Sequence, residues 1–148
     1  MHLIRDAHRG DIPNIIEGVK AFVAASSYKI DTVDPLHVEN MLLGLINGSD
    51  GCVAVLETAE GHFAGCFVGL AHAHLFSGER MLGELFIYTT PSARGHGAKL
   101  RRFAEEWARE RDCKTFGIAY PVSESHLEKV YRRWGFTPCE THWRKELN

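Results

Sequence analysis

The stretch Glu84-Leu-Phe-Ile-Tyr-Thr-Thr-Pro-Ser-Ala-Arg94-Gly-His-Gly-Ala-Lys-Leu100 joins a run of β-forming residues to an amphipathic helix through a loop with two glycines. The strand side reads from Met81 to Thr89. The helix side, Ala98 to Arg111, places Leu100, Phe103, Ala104, Trp107 and Ala108 on one face. A strand entering a helix through Gly95-His96-Gly97 presents the unpaired amides of the first helical turn with the positive end of the helix dipole behind them, which suits an anion such as phosphate. Glycine lets that backbone approach a ligand closely. Arg94, His96, Lys99, Arg101 and Arg102 crowd the same helix start, where the dipole disfavours cations. A bound anion would offset that cost, and Glu105, Glu106 and Glu110 at i,i+4 spacings would neutralise part of it along a solvated face.

Upstream, Met1 to His8 reads as a first strand. A helix capped by Asp11 follows, with Ile12, Ile15, Ile16, Val19, Phe22 and Val23 at helical spacing; a second begins with Asp34 as cap and Pro35 at its first position and stops at Asn47-Gly48. From Cys52 the period changes to two. Val53 and Val55 alternate with Ala54 and Leu56, Glu60-Gly61 turns the chain into a run from Phe63 to Phe76, and Ser77-Gly78-Glu79-Arg80 turns it into the strand before the loop. Downstream come a strand Thr115 to Tyr120, a helix 126 to 134 with the capping pair Ser125 and Glu128 and a stop at Gly135, then short strands Phe136 to Glu140 and Trp143 to Leu147. The order β α α β β β α β α β β is α+β (mixed α/β): one domain over 1–148, with about four helices flanking a mixed, mostly antiparallel sheet.

With 148 residues, 45% hydrophobic and 24% charged, and a net charge of −2, the chain can bury a real core without staples and is not disordered. That balance excludes attachment to nucleic acid through bulk charge. The start, Met-His-Leu-Ile-Arg-Asp, lacks the pattern of a signal peptide and no apolar run reaches membrane-spanning length, so a cytoplasmic protein with no membrane partner is expected. Cys52, Cys66, Cys113 and Cys139 form no Cys-x-x-Cys pair and read as reduced, mostly buried small hydrophobes. His72 and His74 share a strand face at a spacing that can chelate, but without a third ligand nearby they read as ordinary sheet residues and no metal is expected.

The loop is neither a nucleoside-triphosphate phosphate loop, since no Gly-x-x-x-x-Gly-Lys-Ser/Thr occurs, nor a dinucleotide fingerprint, since the third glycine is missing. It resembles the GNAT superfamily of acyl-CoA-dependent N-acetyltransferases, whose signature is Gln/Arg-x-x-Gly-x-Gly/Ala at the start of the central helix. The resemblance runs from Glu84 to about Ala108 and resumes at Val130-Tyr131-Arg132-Arg133-Trp134-Gly135-Phe136, similar to that family's Phe-Tyr-x-x-x-Gly-Phe. Two registers compete. Ser92 at the Gln/Arg position puts both Gly95 and Gly97 on the small positions and is preferred; Arg94 there leaves Lys99 on the last one. The resemblance implies acetyl-CoA as co-substrate, its pyrophosphate on Arg94, Gly95, His96, Gly97, Ala98 and Lys99, and its thioester and pantetheine on the main chain of Ile87, Tyr88 and Thr89. It implies Tyr131 as acid for the leaving thiolate and Glu84 as base for the amine, directly or through water. Glu124 stands where many members have Asn, and Ser125 reads as a helix cap rather than a cofactor ligand.

The activity so implied is acetyl transfer to a primary amine by direct attack. Small amine, antibiotic, amino acid, peptide N-terminus and protein lysine all remain open as acceptors. The rival reading is a non-catalytic acyl-CoA-binding or regulatory module; a nucleotide-phosphate-binding domain unrelated to coenzyme A is more distant. A homodimer is compatible with the chain, with Trp143 and the last strand covering the core or an interface.

Overall fold

The alternation around Val53 and Val55 produces the predicted hairpin, and the sheet grows from it. The computed structural model describes residues 1–148 except Tyr28, Lys29, Asp31 and Asn148. Its elements are β1 (His2–Asp6), α1 (Ile12–Ala25), α2 (Pro35–Asn47), β2 (Gly51–Thr58), β3 (Phe63–Ala73), β4 (Arg80–Thr89), α3 (Gly97–Glu110), β5 (Thr115–Gly117) and α4 (Leu127–Arg133). The strands lie in the order β1-β2-β3-β4-β5, the first four antiparallel and β5 parallel to β4. No helix among the described residues is long and apolar enough to cross a membrane.

Both faces of the sheet are covered, which is why β2 and β3 are buried almost throughout. On one face Cys52, Leu56, Phe67 and Leu82 meet Leu100, Ala104, Trp107 and Ala108 of α3. On the other, Val53, Val55, Cys66 and Val68 meet Ile12 and Ile15 of α1 and Leu42 of α2. Gly65 is required where it stands, because a Cβ there would come 2.5 Å from the Tyr88 carbonyl oxygen of the adjacent strand.

Two caps differ from expectation. Asp34 caps α2 as expected, accepting from the amides of Leu36 and His37 at 3.1 and 3.2 Å. Asp11 does not cap α1; its buried carboxylate receives both terminal nitrogens of Arg5 at 2.8 Å and the His8 amide at 2.8 Å. Arg5 also reaches Glu57 on β2, so a charge-assisted fork outcompetes a neutral cap and ties β1 to the start of α1. The Ser125 and Glu128 capping pair is also absent. A 3₁₀ turn over Val122–Glu124 delivers the chain already coiled, and Arg132 takes the Glu128 carboxylate at 3.0 Å.

Two strand ends are corrected as well, and two expected strands are absent. β3 stops at Ala73, and His74 uses Nδ1 to accept from the Phe76 amide at 3.1 Å in the turn that follows. β5 stops at Gly117 because β4 has turned away from it. The expected strands Phe136 to Glu140 and Trp143 to Leu147 do not form: residues 137–147 are exposed coil, Pro138 lacks an amide donor, and only a three-residue edge of β5 stands beside them. Trp143 therefore covers no core and is 91% exposed. Cys52 and Cys66 are buried as expected, with burial pushing the Cys52 thiol up to about 12, whereas Cys113 is half-buried and Cys139 exposed.

Phe67 is fully buried between the α3 layer and Phe116 of β5, whose ring centroid lies 5.7 Å away edge-on. Phe67→Ala is expected to lower unfolding free energy by about 3–5 kcal/mol, measured by urea denaturation.

Candidate active site

Val68 on β3 faces Phe86, but its neighbour Gly69 faces Glu84, so Leu85 has no partner and forms a β-bulge. The bulge reverses which side chains face which layer. Leu82 before it and Ile87 after it both pack toward α3, while Phe86 and Tyr88 pack toward α1 and α2. It also ends the pairing with β5: Met81, Leu82 and Gly83 pair with Thr115, Phe116 and Gly117, and nothing beyond Gly83 does. The two parallel strands part at Glu84.

Main-chain direction along the freed edge follows from one bond. Thr90 donates its amide to the Ala64 carbonyl at 2.9 Å, so in an antiparallel ladder residues 86, 88 and 90 turn their amides and carbonyls toward β3, and Ile87 and Thr89 turn theirs toward the opening. Of the three residues expected to hold a ligand by main chain, two present it there; Tyr88 is occupied by the ladder.

Inside the opening, Glu84 Oε1 accepts the amide of Ala119 at 3.2 Å, and the Tyr131 hydroxyl donates to the carbonyl of the same residue at 2.9 Å. One residue of the segment after β5 thus holds both groups singled out from the sequence. Burial pushes the Glu84 carboxyl up to about 7, against the smaller opposing effect of the Ala119 amide. Burial, then the neighbouring Glu84 carboxylate and Tyr120, raises the Tyr131 phenol, so it stays protonated and able to donate. Tyr120 and Trp134 wall the phenol, with ring centroids at 5.6 and 5.8 Å.

At the other end of β4, a 3₁₀ turn over Pro91–Ala93 leads to Gly95, whose φ of 93° suits glycine. The amides of Gly95, Gly97 and Ala98 take no main-chain partner among the described residues. The space where Gly95 would carry a Cβ is open, and a Cβ on Gly97 would meet only Trp134 at 3.8 Å. The cations beside them divide. Arg94 is exposed with no hydrogen-bond or ion-pair partner among the described residues. Lys99 is turned away, its Nζ donating to the His2 carbonyl at 3.1 Å, and the His96 ring stacks on His2 at 3.9 Å. Arg101 pairs with Glu105 at 3.1 Å and lies over Trp134 at 5.3 Å. The glutamates thus neutralise the later part of the helix and leave its first turn electropositive. Ser92 sits in the 3₁₀ turn, its hydroxyl 3.3 Å from that of Thr90.

Residues 23–136 match the model of the acetyltransferase (GNAT) family. The chain belongs to that family. No curated protein sequence matches it. Among solved structures, this GNAT chain is similar to a transcriptional regulator from Bacillus halodurans C-125, with a TM-score of 0.82, 18% identity, and 99% of this chain and 100% of that one covered. It is also similar to glucosamine-6-phosphate N-acetyltransferase from Arabidopsis thaliana, with a TM-score of 0.78, 14% identity and coverage of 100% and 99%. Ribosomal-protein-alanine N-acetyltransferase from Brucella melitensis biovar Abortus 2308 follows at 0.76, 15% and 100% of both chains. At these identities the likeness establishes a GNAT fold, with its mixed sheet and flanking helices, and the family supports acetyl transfer in general.

Sequence reasoning missed three features of this GNAT site. Ala119 acts through its peptide and has no side-chain signature. The Leu85 bulge was signalled only by the isolated glycines beside it, Gly83 on its own strand and Gly69 opposite Glu84, which were not read that way. The stacking of Arg101 and Tyr131 on Trp134 joins two helices far apart in sequence; the only sign of it was Trp134 standing three residues after Tyr131.

The raised Glu84 carboxyl has a stability consequence. Its folded-state value exceeds the ordinary one, so its contribution is full below about 4.5 and is lost as pH rises through about 7. Glu84→Gln is expected to match the parent near pH 4 and to be more stable at pH 8, by up to about 3 kcal/mol, measured by urea denaturation at both pH values.

Proposed function

We propose that this GNAT protein is an acetyl-CoA-dependent N-acetyltransferase acting on a primary amine by direct attack. The observation that carries the reading is the meeting of Glu84 and Tyr131 on the two polar atoms of Ala119, at the point where β4 and β5 part. A half-buried carboxylate poised near neutrality and a phenol that keeps its proton are the base and acid that amine acylation needs.

The residues present fit acetyl-CoA. The free amides of Gly95, Gly97 and Ala98, at an electropositive first turn with Arg94 unpaired, would hold its pyrophosphate. The outward amides and carbonyls of Ile87 and Thr89 would hold the pantetheine as an added strand. When bound, acetyl-CoA supplies the activated thioester carbonyl. Glu84 removes a proton from the acceptor ammonium, directly or through water, so that a neutral nitrogen is available. Tyr131 donates its hydroxyl proton to the departing sulfur, giving up its bond to the Ala119 carbonyl as it does so. His96 and Lys99, stacked on and bonded to His2, shape the loop from behind, and Tyr88 contributes through its position in the ladder. The acceptor is a small molecule or peptide carrying a primary amine, the partners include neither nucleic acid nor membrane, and the protein works in the cytoplasm.

Thiol release from acetyl-CoA across a panel of amines tests this. At least one amine is expected to yield free thiol, and Tyr131→Phe is expected to lower kcat by roughly 10²-fold or more. Coenzyme A that raises the melting temperature while no amine releases thiol would instead mark a binding module. With an active amine, kcat/KM should rise with pH through about 7 as Glu84 loses its proton, and Glu84→Gln should abolish that inflection. Gly95→Ala, which strains a backbone at φ 93°, should weaken coenzyme A binding measured by calorimetry while leaving the far-UV spectrum unchanged.

A further inference from the structure

Trp134 packs into neither apolar layer of the sheet. Its half-buried indole stands between the two halves of the site instead. On one side it is the only side chain among the described residues within 4 Å of the point where Gly97 would carry a Cβ, at 3.8 Å. On the other its ring stacks on Tyr131, with centroids 5.8 Å apart and planes inclined by 24°. The main chain repeats the second link, since the Trp134 amide donates to the Tyr131 carbonyl at 3.1 Å. A free amide of the electropositive turn and the phenol of the acid thus share one rigid neighbour.

Arg101 completes the connection. It follows Gly97 by one turn of α3, and long helical side chains lean back over the turn before them. Its guanidinium lies over the indole at 5.3 Å and bonds Glu105 at 3.1 Å, yet its Nε is buried with no hydrogen-bond partner among the described residues. An unmet buried N–H is costly, and this one stands beside a turn suited to an acceptor-rich anion. An anion on the Gly97 amide offers the missing acceptor, so its arrival changes what holds Arg101 and, with it, the indole.

The acid needs such a signal. The Tyr131 hydroxyl is bonded to the Ala119 carbonyl at 2.9 Å and has to leave it to reach a sulfur. That makes two discrete arrangements, one closed on Ala119 and one free to donate, and a contact on the ring can bias them. Building on the acetyl-transfer reading above, we propose that Trp134 is a positioning residue that relays occupancy of the pyrophosphate turn, through Arg101 and its own indole, to the Tyr131 phenol. The nucleotide end of coenzyme A thereby readies the acid that acts at the thioester end, and binding energy far from the reacting bond is used at that bond.

Carbon-13 at the ring Cζ of tyrosine reads the Tyr131 hydrogen bond without turnover, and Tyr131→Phe assigns its signal. The probe is 3′-phospho-ADP, which carries the pyrophosphate but lacks the pantetheine and thiol. At saturation it is expected to shift the Tyr131 signal in the parent and in Trp134→Phe, which keeps an aromatic face, but not in Trp134→Leu, with calorimetric Kd values within about threefold of one another. A parent signal that ignores bound nucleotide, or a Trp134→Leu signal that still shifts, would overturn the relay and leave acetyl transfer standing. Nucleotide that fails to bind at about 10 mM would overturn the relay together with the pyrophosphate assignment. The shift without thiol release from any amine would support the relay and sink the acetyl-transfer reading alone. Should Trp134→Leu not fold, Arg101→Met in the full chain decides: a shift lost at saturation supports the relay, and a shift retained refutes it. With an active amine, Trp134→Leu is expected to lower kcat about tenfold at nearly constant KM for acetyl-CoA, yet to cost nothing further in the Tyr131→Phe background. Additive losses would mark a merely structural role and refute the relay.

Discussion

Leu85 has no partner on β3, and most of what makes the site follows from that mismatch. Inserting one residue shifts the pleat by half a period, so the side chains after it change layer and the strand bends from its neighbour. Without the insertion Ile87 would face α1 and α2, Phe86 would face α3, and β5 could continue alongside β4 beyond Gly83. The main-chain groups of Ile87 and Thr89 would then be spent on a sheet. Glu84 would flank an ordinary parallel ladder, with no Ala119 amide free to meet it.

The opening also sets the electrostatics. Glu84 is half-buried with one amide as its hydrogen-bond partner and no cation in contact among the described residues, so desolvation dominates and its proton is held to near neutrality. Arg5 and Asp11 show the opposite outcome on the same small protein. There a guanidinium fork compensates the burial, and the carboxyl is held below its ordinary range despite a desolvation effect that opposes it. The distinction is what each carboxylate touches. A carboxylate held by cations anchors structure; one held by a single neutral donor can still exchange its proton.

How much of this was legible in the sequence depends on whether the information was local. The hairpin, the amphipathic α3 and the Asp34-Pro35 helix start are patterns of neighbours, and each appears where its period placed it. Gly95 was legible as a loop glycine because a positive φ, here 93°, has a residue type of its own. Asp11 was misread because its partner, Arg5, competes from a strand rather than from the helix it precedes. The final strands were misread for a related reason: alternation specifies a strand's faces but not an edge to pair with, and β5 is cut to three residues by a bulge on a different strand. Ala119 was invisible because its role belongs to the peptide.

The charge balance shows the same separation of local from global. A net charge of −2 over 148 residues suggests little affinity for anions, yet the first turn of α3 is electropositive. The structure reaches that state by pairing rather than by excess. Glu105 and Glu106 engage Arg101 and Arg109 further along the helix, and Lys99 is drawn to β1, which leaves Arg94 and three main-chain amides around Gly95 and Gly97. A compact field of that kind suits a ligand with one concentrated cluster of phosphates. A long polyanion would need cations spread along a face, and on this helix Arg101 and Arg109 are engaged by glutamates while Arg102 stands exposed without an ion-pair partner among the described residues.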